Sequence, residues 1–243
     1  MTRTKIEWVK NPDGSQGYTI NPVKGLCPVA CSYCYARAMY KRFKWNPEIR
    51  YEDPFFDFYA LKRKPPSRVF IGSTMELFGE WIRPEWLHNI FGFVKAYPQH
   101  TFIFLTKRPE NLIKWSPFPQ NCWVGVSATN KLQFLAGMSY MADVKASVKF
   151  VSFEPLLESV ESSSPIGKHL INGGINWVII GRQTPLSAKT IPHIIDIQRI
   201  IFAANEIPIP IFLKDNLKGF LPFKQYNDPW KEVYKLRQEL PRL

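Results

Sequence analysis

Thr101-Phe-Ile-Phe-Leu-Thr106, Cys122-Trp-Val-Gly-Val-Ser127 and Val148-Lys-Phe-Val-Ser-Phe153 are three short, nearly all-apolar runs separated by longer stretches of mixed character. A strand with one wet face alternates apolar and polar residues. A run that stays apolar at successive positions is buried on both faces, the condition of a strand inside a parallel sheet covered by helices. The intervening stretches supply the other half of the pattern. Pro109-Glu-Asn-Leu-Ile-Lys-Trp115 reads as a short helix, and apolar residues at helical spacing run from Lys131 to Asp143. Parallel neighbours need such crossovers, because the chain must return to the same end of the sheet before each new strand.

The same rhythm extends outward in both directions. Arg68-Val-Phe-Ile-Gly-Ser73 is a strand bounded by Pro66 and Gly72, and a helix follows from Pro84 to Tyr97 with Trp86, Leu87, Ile90, Phe91 and Val94 on one face. Proline suits a first helical turn, where its missing N–H is no loss. Downstream, Trp177-Val-Ile-Ile-Gly181 is a strand, Ile191 to Asn205 a helix, and Ile209-Pro-Ile-Phe-Leu213 a strand whose Pro210 suggests an edge or an irregular strand. The stretch around Ser162 to Ser164 is mixed and serine-rich, and Gly17 to Pro22 supplies an opening strand. About six or seven such right-handed units curl into a partial or full parallel (β/α) barrel of the α/β class. No linker divides the chain, so residues 1–243 are expected to form one domain.

The composition fits a packed fold, at 45% hydrophobic residues, and the formal net charge is +12. That excess suits nucleic acid, an anionic surface or an acidic substrate, and is equally compatible with a solubilising surface. Arg37, Lys41, Arg42 and Lys44 are interleaved with Tyr35, Tyr40, Phe43 and Trp45, and Lys62, Arg63, Lys64 and Arg68 come soon after. The mixture could grip phosphates and stack bases, or be plain helix surface. The start of the chain is polar, with no leader-like apolar segment. No apolar run reaches the roughly 20 residues a membrane span needs. The expectation is a cytoplasmic protein without a membrane partner, where clustered cysteines bind metal or react more often than they form disulfides.

In a parallel barrel the site lies at the C-terminal ends of the strands. The polar residues there are Ser73 to Glu76, Thr106 to Arg108, Ser127 to Asn130, Glu154, Gly181 to Gln183, and Lys214 with Asp215. Ahead of them stands Cys27-Pro-Val-Ala-Cys31-Ser-Tyr-Cys34, a C-x3-C-x2-C cluster. A structural zinc ion generally wants four protein ligands, and a fourth is not evident, since His88 and Cys122 are distant in sequence. Three thiolates suit a [4Fe–4S] cluster with one iron open to a ligand. Zinc in a non-catalytic nucleic-acid-binding protein is the alternative.

With Tyr33 as the aromatic in C-x3-C-x-(aromatic)-C, the segment resembles the signature of the radical S-adenosylmethionine superfamily, placed early in a (β/α) barrel as that superfamily has it. The whole chain is similar to a phage-associated, radical-SAM-like family of unassigned function. The resemblance rests on Thr4-Lys-Ile-Glu-Trp8, Asn21-Pro-Val-Lys-Gly25, Cys34-Tyr-Ala36, Glu76-Leu-Phe78, Leu105-Thr-Lys-Arg-Pro-Glu110, Trp123-Val-Gly-Val-Ser127 and Phe150-Val-Ser-Phe-Glu-Pro-Leu-Leu157. It implies that Cys27, Cys31 and Cys34 hold a [4Fe–4S] cluster whose open iron chelates S-adenosylmethionine. On reduction by a protein such as a flavodoxin or ferredoxin, the sulfonium is cleaved and a 5′-deoxyadenosyl radical abstracts hydrogen from substrate. A nucleic acid or nucleotide substrate is motivated by charge; a small molecule or peptide is the alternative within the same chemistry.

The resemblance also implies residue roles. Glu76 stands where a carboxylate meets the cofactor's ammonium. Ser127, Thr129 and Asn130 stand where ribose hydroxyls are bonded, although these residue types equally cap helices. Tyr33 and Glu154 complete the cofactor set, unless Glu154 merely neutralises Lys107 or Arg108. Lys107, Arg108, Arg182 and Lys214 are the substrate candidates, as cations suited to a carboxylate or phosphate. The chain departs from the family at Gly181-Arg-Gln-Thr-Pro185, where a glutamate is usual, at Glu76, where an aspartate is, and at Lys214-Asp-Asn216, where Lys-Gln-Trp is usual. Cys122 begins its strand, five residues and roughly 16 Å before the mouth at about 3.3 Å per residue, and is expected in the core.

Overall fold

The computed structural model describes residues 1–221 and 236–241. The final part of the expected domain therefore lies outside the described residues. In chain order the elements are β1 (Thr2–Arg3), β2 (Tyr18–Ile20), β3 (Val23–Lys24), α1 (Tyr35–Phe43), β4 (Arg50–Tyr51), α2 (Phe55–Leu61), β5 (Arg68–Ile71), α3 (Pro84–Ala96), β6 (Thr101–Thr106), β7 (Cys122–Ser127), α4 (Lys131–Met141), β8 (Val148–Phe153), α5 (Ile166–Asn172), β9 (Trp177–Ile180), α6 (Ile194–Glu206) and β10 (Ile211–Leu213). Residues Pro109–Trp115, Ala188–Thr190 and Asp215–Leu217 form 3₁₀ turns.

One sheet carries the order β1-β2-β5-β6-β7-β8-β9-β10, and every pairing from β2 to β10 is parallel. The short β1 adds an eighth, antiparallel strand. The sheet does not close, so the full-barrel alternative gives way to the partial one. The reason lies at the two edges. Beside β10 runs the end of the chain, with Leu213 N–H donating to Arg237 O and Glu239 N–H to Ile211 O. The seam between the edges is crossed by side chains instead, Lys10 Nζ reaching Gln238 Oε1 at 2.9 Å.

The two faces of the sheet are filled differently. Outward-facing Val69, Ile71, Phe102, Phe104, Val124, Val126, Val151 and Phe153 pack on the buried stripes of the helices, such as Leu87, Ile90 and Val94 of α3 and Phe134 and Met138 of α4. Inward-facing Phe70, Ile103, Trp123, Phe150, Trp177, Ile179 and Phe212 form a second core with Trp8 and Val9. Residues two apart share a face, so each fully apolar strand feeds both cores. Trp8 arrives on the loop between β1 and β2 and stands among Phe70, Phe150 and Trp177, with ring centroids at 5.1, 6.1 and 6.1 Å. That loop is tied to the N-terminal end of β5, where Arg68 N–H donates to Asn11 Oδ1 (2.9 Å) and its guanidinium to Lys10 O (2.6 Å). One end of the interior is thereby plugged, and the other end stays open.

Some boundaries shift. Helix α6 starts at Ile194 rather than Ile191, because Pro192 disfavours a helical Ile191 and His193 takes the N-cap position. Strand β10 starts at Ile211, after a proline that cannot donate to the ladder, and it does lie at the sheet edge. Cys122 is fully buried in the helix-side core.

At Gly125 a Cβ would stand 2.4 Å from the Phe150 ring on the neighbouring strand. Gly125→Ala is expected to cost about 1–3 kcal/mol through overpacking. Denaturant unfolding measures it, and an unchanged midpoint would refute the tight approach.

Candidate functional site

Continuing each inward-facing register past the second core gives Lys107 after Leu105, Ser127 after Gly125, Ser152 and Glu154 after Phe150, Gly181 after Ile179, and Lys214 after Phe212. Above the aromatic floor of Trp8 and Phe70, Lys107, Ser127, Ser152 and Glu154 line a cavity of about 220 Å³, with Gly181 and Lys214 behind its wall. Its walls are completed by Cys31, Tyr33, Cys34, Tyr35 and Ser73 on one side and by Pro155, Arg182, Gln183 and Thr184 on the other.

The cysteine loop lies between β3 and α1. Ala30 takes a left-handed conformation (φ 55°), and Cys34 is the N-cap of α1. All three thiols are free and partly exposed. They share a hollow with Ala30, Arg37 and Thr74, while Cys31 and Cys34 also face the larger cavity. Arg37 braces the loop from α1 by donating to Cys27 O at 2.8 Å. Burial pushes the Cys27 thiol up, opposed by main-chain N–H groups of Glu76 and Val29 that donate to its sulfur. Those donors favour a thiolate once it is held by a positive centre. Among the described residues no three His, Cys, Asp or Glu side chains converge on the position of a single metal ion. An iron–sulfur cluster is a larger body, and thiols placed around one hollow, none tied up in a disulfide, fit it.

Glu76 is buried beneath the mouth. Its Oε1 accepts from Thr106 Oγ1 (2.6 Å) and Phe78 N–H (2.9 Å), and its Oε2 from Lys107 N–H (2.6 Å). Burial pushes this carboxyl up, and the three donors and the Lys107 charge pull it back. With three of about four acceptor positions filled, at most one is left for a ligand's ammonium. Its evident task is to pin the loop after β5 to the end of β6.

Ser127 Oγ faces the cavity and accepts from Lys107 Nζ at 3.0 Å. Thr129 and Asn130 are engaged in a helix cap: Asn130 Oδ1 accepts from Gln133 N–H (3.0 Å), and Gln133 Oε1 accepts from Thr129 N–H and Oγ1 (2.9 Å each). Tyr33 hydrogen-bonds Thr129 and Cys31, and burial followed by the charge of Cys31 pushes its phenol up. Lys107 Nζ lies 5.9 Å from the Tyr33 ring centroid.

Glu154 does not neutralise Lys107 or Arg108. Its Oε1 pairs closely with Lys214 Nζ, and its Oε2 accepts from Trp8 Nε1 at 3.2 Å. Glu7 Oε1 adds a second carboxylate 3.9 Å from Lys214 Nζ. A Cβ at Gly181 would stand 2.7 Å from Lys214 Cδ, so the absence of a side chain there lets the lysine reach inward. Arg108 points away from the cavity, towards Glu80 (3.7 Å) and Glu110 (3.4 Å), because side chains alternate at a strand end and Lys107 takes the inward direction. Arg182 faces the cavity with its guanidinium 4.7 Å from the Phe220 ring centroid, and its N–H donates to Asn216 Oδ1. Lys107 and Arg182 make no ion pair among the described residues.

Strand-end reasoning missed Trp8 and Ser152. Trp8 enters from outside the strand–helix repeat. Ser152 lies two residues before Glu154 and could have been found by counting; its hydroxyl is buried without a hydrogen-bond partner among the described residues while lining the cavity. Cys122, pushed up to about 12 by burial, takes no part.

A family model described as a protein of unknown function (DUF5131) matches residues 3–214. No curated protein matches. Among solved structures, one of a spore photoproduct lyase mutant with bound AdoMet and a dinucleoside spore photoproduct is similar, with a TM-score of 0.45 and 13% identity. The match covers 84% of this chain and 66% of that one, so this chain spans slightly under two thirds of its length.

Two outcomes follow from this geometry. In the metal-free folded chain near pH 8, a thiol reagent should modify Cys27, Cys31 and Cys34 while Cys122 reacts only on unfolding, since a buried thiol at about 12 offers almost no thiolate. Mass mapping of modified peptides decides it. Lys214→Met should destabilise the fold by about 1–3 kcal/mol by stranding Glu154, with much of that recovered in the Lys214→Met/Glu154→Gln double variant. Denaturant unfolding of the two variants would show no such recovery if the pair were unimportant.

Proposed function

The chain belongs to a family of proteins of unknown function (DUF5131), and we propose that it is a radical S-adenosylmethionine enzyme acting on a nucleic acid or nucleotide. The observation that carries the reading is that Cys31 and Cys34 line both the cysteine hollow and the 220 Å³ cavity, so a centre held by Cys27, Cys31 and Cys34 would adjoin a ligand space at the strand ends. When bound, a [4Fe–4S] cluster and S-adenosylmethionine would supply a 5′-deoxyadenosyl radical, given an electron from a reductant such as a flavodoxin or ferredoxin.

The chain's own residues have separate tasks. The three thiolates hold the cluster, and the N–H groups of Val29 and Glu76 stabilise the charge on Cys27. Ser127 and Ser152 offer hydroxyls to a ligand in the cavity, and Lys107 and Arg182 draw an anionic group into it. Lys214 holds Glu154 in place at that wall. Trp8, Phe70 and Tyr33 keep water from the floor and flank, as a reactive intermediate requires. The excess of 32 Lys and Arg over 20 Asp and Glu supports the nucleic-acid substrate.

Anaerobic purification should give a brown protein with about four irons per chain. Reduction should then cleave S-adenosylmethionine to methionine and 5′-deoxyadenosine. Replacing any of Cys27, Cys31 or Cys34 with Ala should abolish cleavage and deplete iron, while Cys122→Ala keeps both. A colourless protein with stoichiometric zinc after anaerobic reconstitution would overturn the proposal.

A further inference from the structure

Helix α1 begins beside the cavity and leads away from it, about 13 Å long at 1.5 Å per residue. Tyr35 at its first position lines the cavity and fixes its hydroxyl to Ser73 O at 2.8 Å. From Tyr35 to Trp45 there are four cations and no carboxylate. Lys41, Arg42 and Lys44 are exposed and make no ion pair among the described residues.

A run of cations is commonly a solvated face, but this one carries exposed aromatic planes in a fixed arrangement. Phe43 is 51% exposed and Trp45 44%, and their rings stack at 5.4 Å and 24°. The Arg42 guanidinium lies 5.3 Å from the Phe43 centroid. Lys44 takes a left-handed conformation (φ 50°, ψ 40°), uncommon for a residue with a side chain, which turns the chain so that Trp45 N–H donates to Tyr40 O. Trp45 then meets the buried Tyr40 edge-on at 5.3 Å, and Tyr40 Oη accepts from Gly25 N–H (2.7 Å) just before the cysteine loop. The aromatic pair is thus held rigidly to the loop that borders the cavity.

The geometry points to a docking face for single-stranded nucleic acid, with Phe43 and Trp45 stacking bases, Lys41, Arg42 and Lys44 gripping phosphates, and α1 leading the strand to the cavity at Tyr35. A duplex hides its base faces, so an exposed stacking pair suits the single strand. This inference deepens the nucleic-acid reading above and rests on it for the meaning of the cavity.

The test uses the full chain without iron or S-adenosylmethionine, so its outcome is independent of the cleavage assay. Fluorescence anisotropy with a short labelled single-stranded DNA should show salt-sensitive binding that is weaker for the duplex. Trp45→Ala should weaken it about 5- to 100-fold, and Trp45→Phe, which keeps an aromatic plane, should restore most of the loss. A Lys41→Ala/Arg42→Ala/Lys44→Gly variant, with glycine preserving the left-handed turn, should flatten the log–log salt slope by about 2, at about 0.7 per phosphate contact on a single strand. No binding at low salt, a duplex bound as tightly as the single strand, or a folded Trp45→Ala variant with unchanged affinity would each overturn it.

Discussion

A curved parallel sheet that stops short of closure has an inner face with nothing opposite it, and the Trp8 indole answers that constraint. It packs on Phe70, Phe150 and Trp177 in the concave face, and its one polar atom reaches Glu154 at the rim. A buried indole N–H needs an acceptor, and a carboxylate at the strand ends needs a donor; one bond serves both. The same side chain therefore fills the core and forms the floor of the cavity. Glu154 passes the constraint on to Lys214, which Gly181 admits to the interior.

The rim is divided by charge. On the side of β8 and β10, Glu154, Lys214 and Glu7 satisfy one another. Lys107, after β6, rests on Ser127 and Tyr33, and Arg182, after β9, rests on Phe220, hydroxyl and aromatic surfaces rather than carboxylates among the described residues. Ion pairing near a low-dielectric cavity is strong enough to silence a cation, and neither Lys107 nor Arg182 is paired in that way among the described residues.

How much of this the sequence disclosed follows from burial. Thr101–Thr106, Cys122–Ser127 and Val148–Phe153 are read to the residue because both faces of each strand are buried and both write themselves as apolar. Helix α5 escapes because it buries only Ile166 and Leu170, one turn apart, too little to display a period. Strand β1 escapes because its two residues are exposed and owe their conformation to pairing with β2 alone. At the site, strand ends located Ser127, Glu154, Lys107 and Arg182 at the cavity. Arg108 was grouped with Lys107 although adjacent residues of a strand face oppositely, and the partner of Glu154 lay 60 residues away, beyond the reach of any local pattern. Thr129 and Asn130 illustrate a real degeneracy: the groups that would bond a ribose are the groups that cap a helix, and here the cap has them.

The segment at Arg237–Glu239 along β10 has a consequence beyond the site. An unpaired strand edge is a template on which a second molecule can add itself, and natural sheets blunt such edges to stay apart. Here the chain lays its own end over that edge through Leu213 N–H to Arg237 O and Glu239 N–H to Ile211 O, and locks it with Lys10 and Gln238. The Arg237–Glu239 segment thus occupies, within the same chain, backbone groups that a second molecule would otherwise find open.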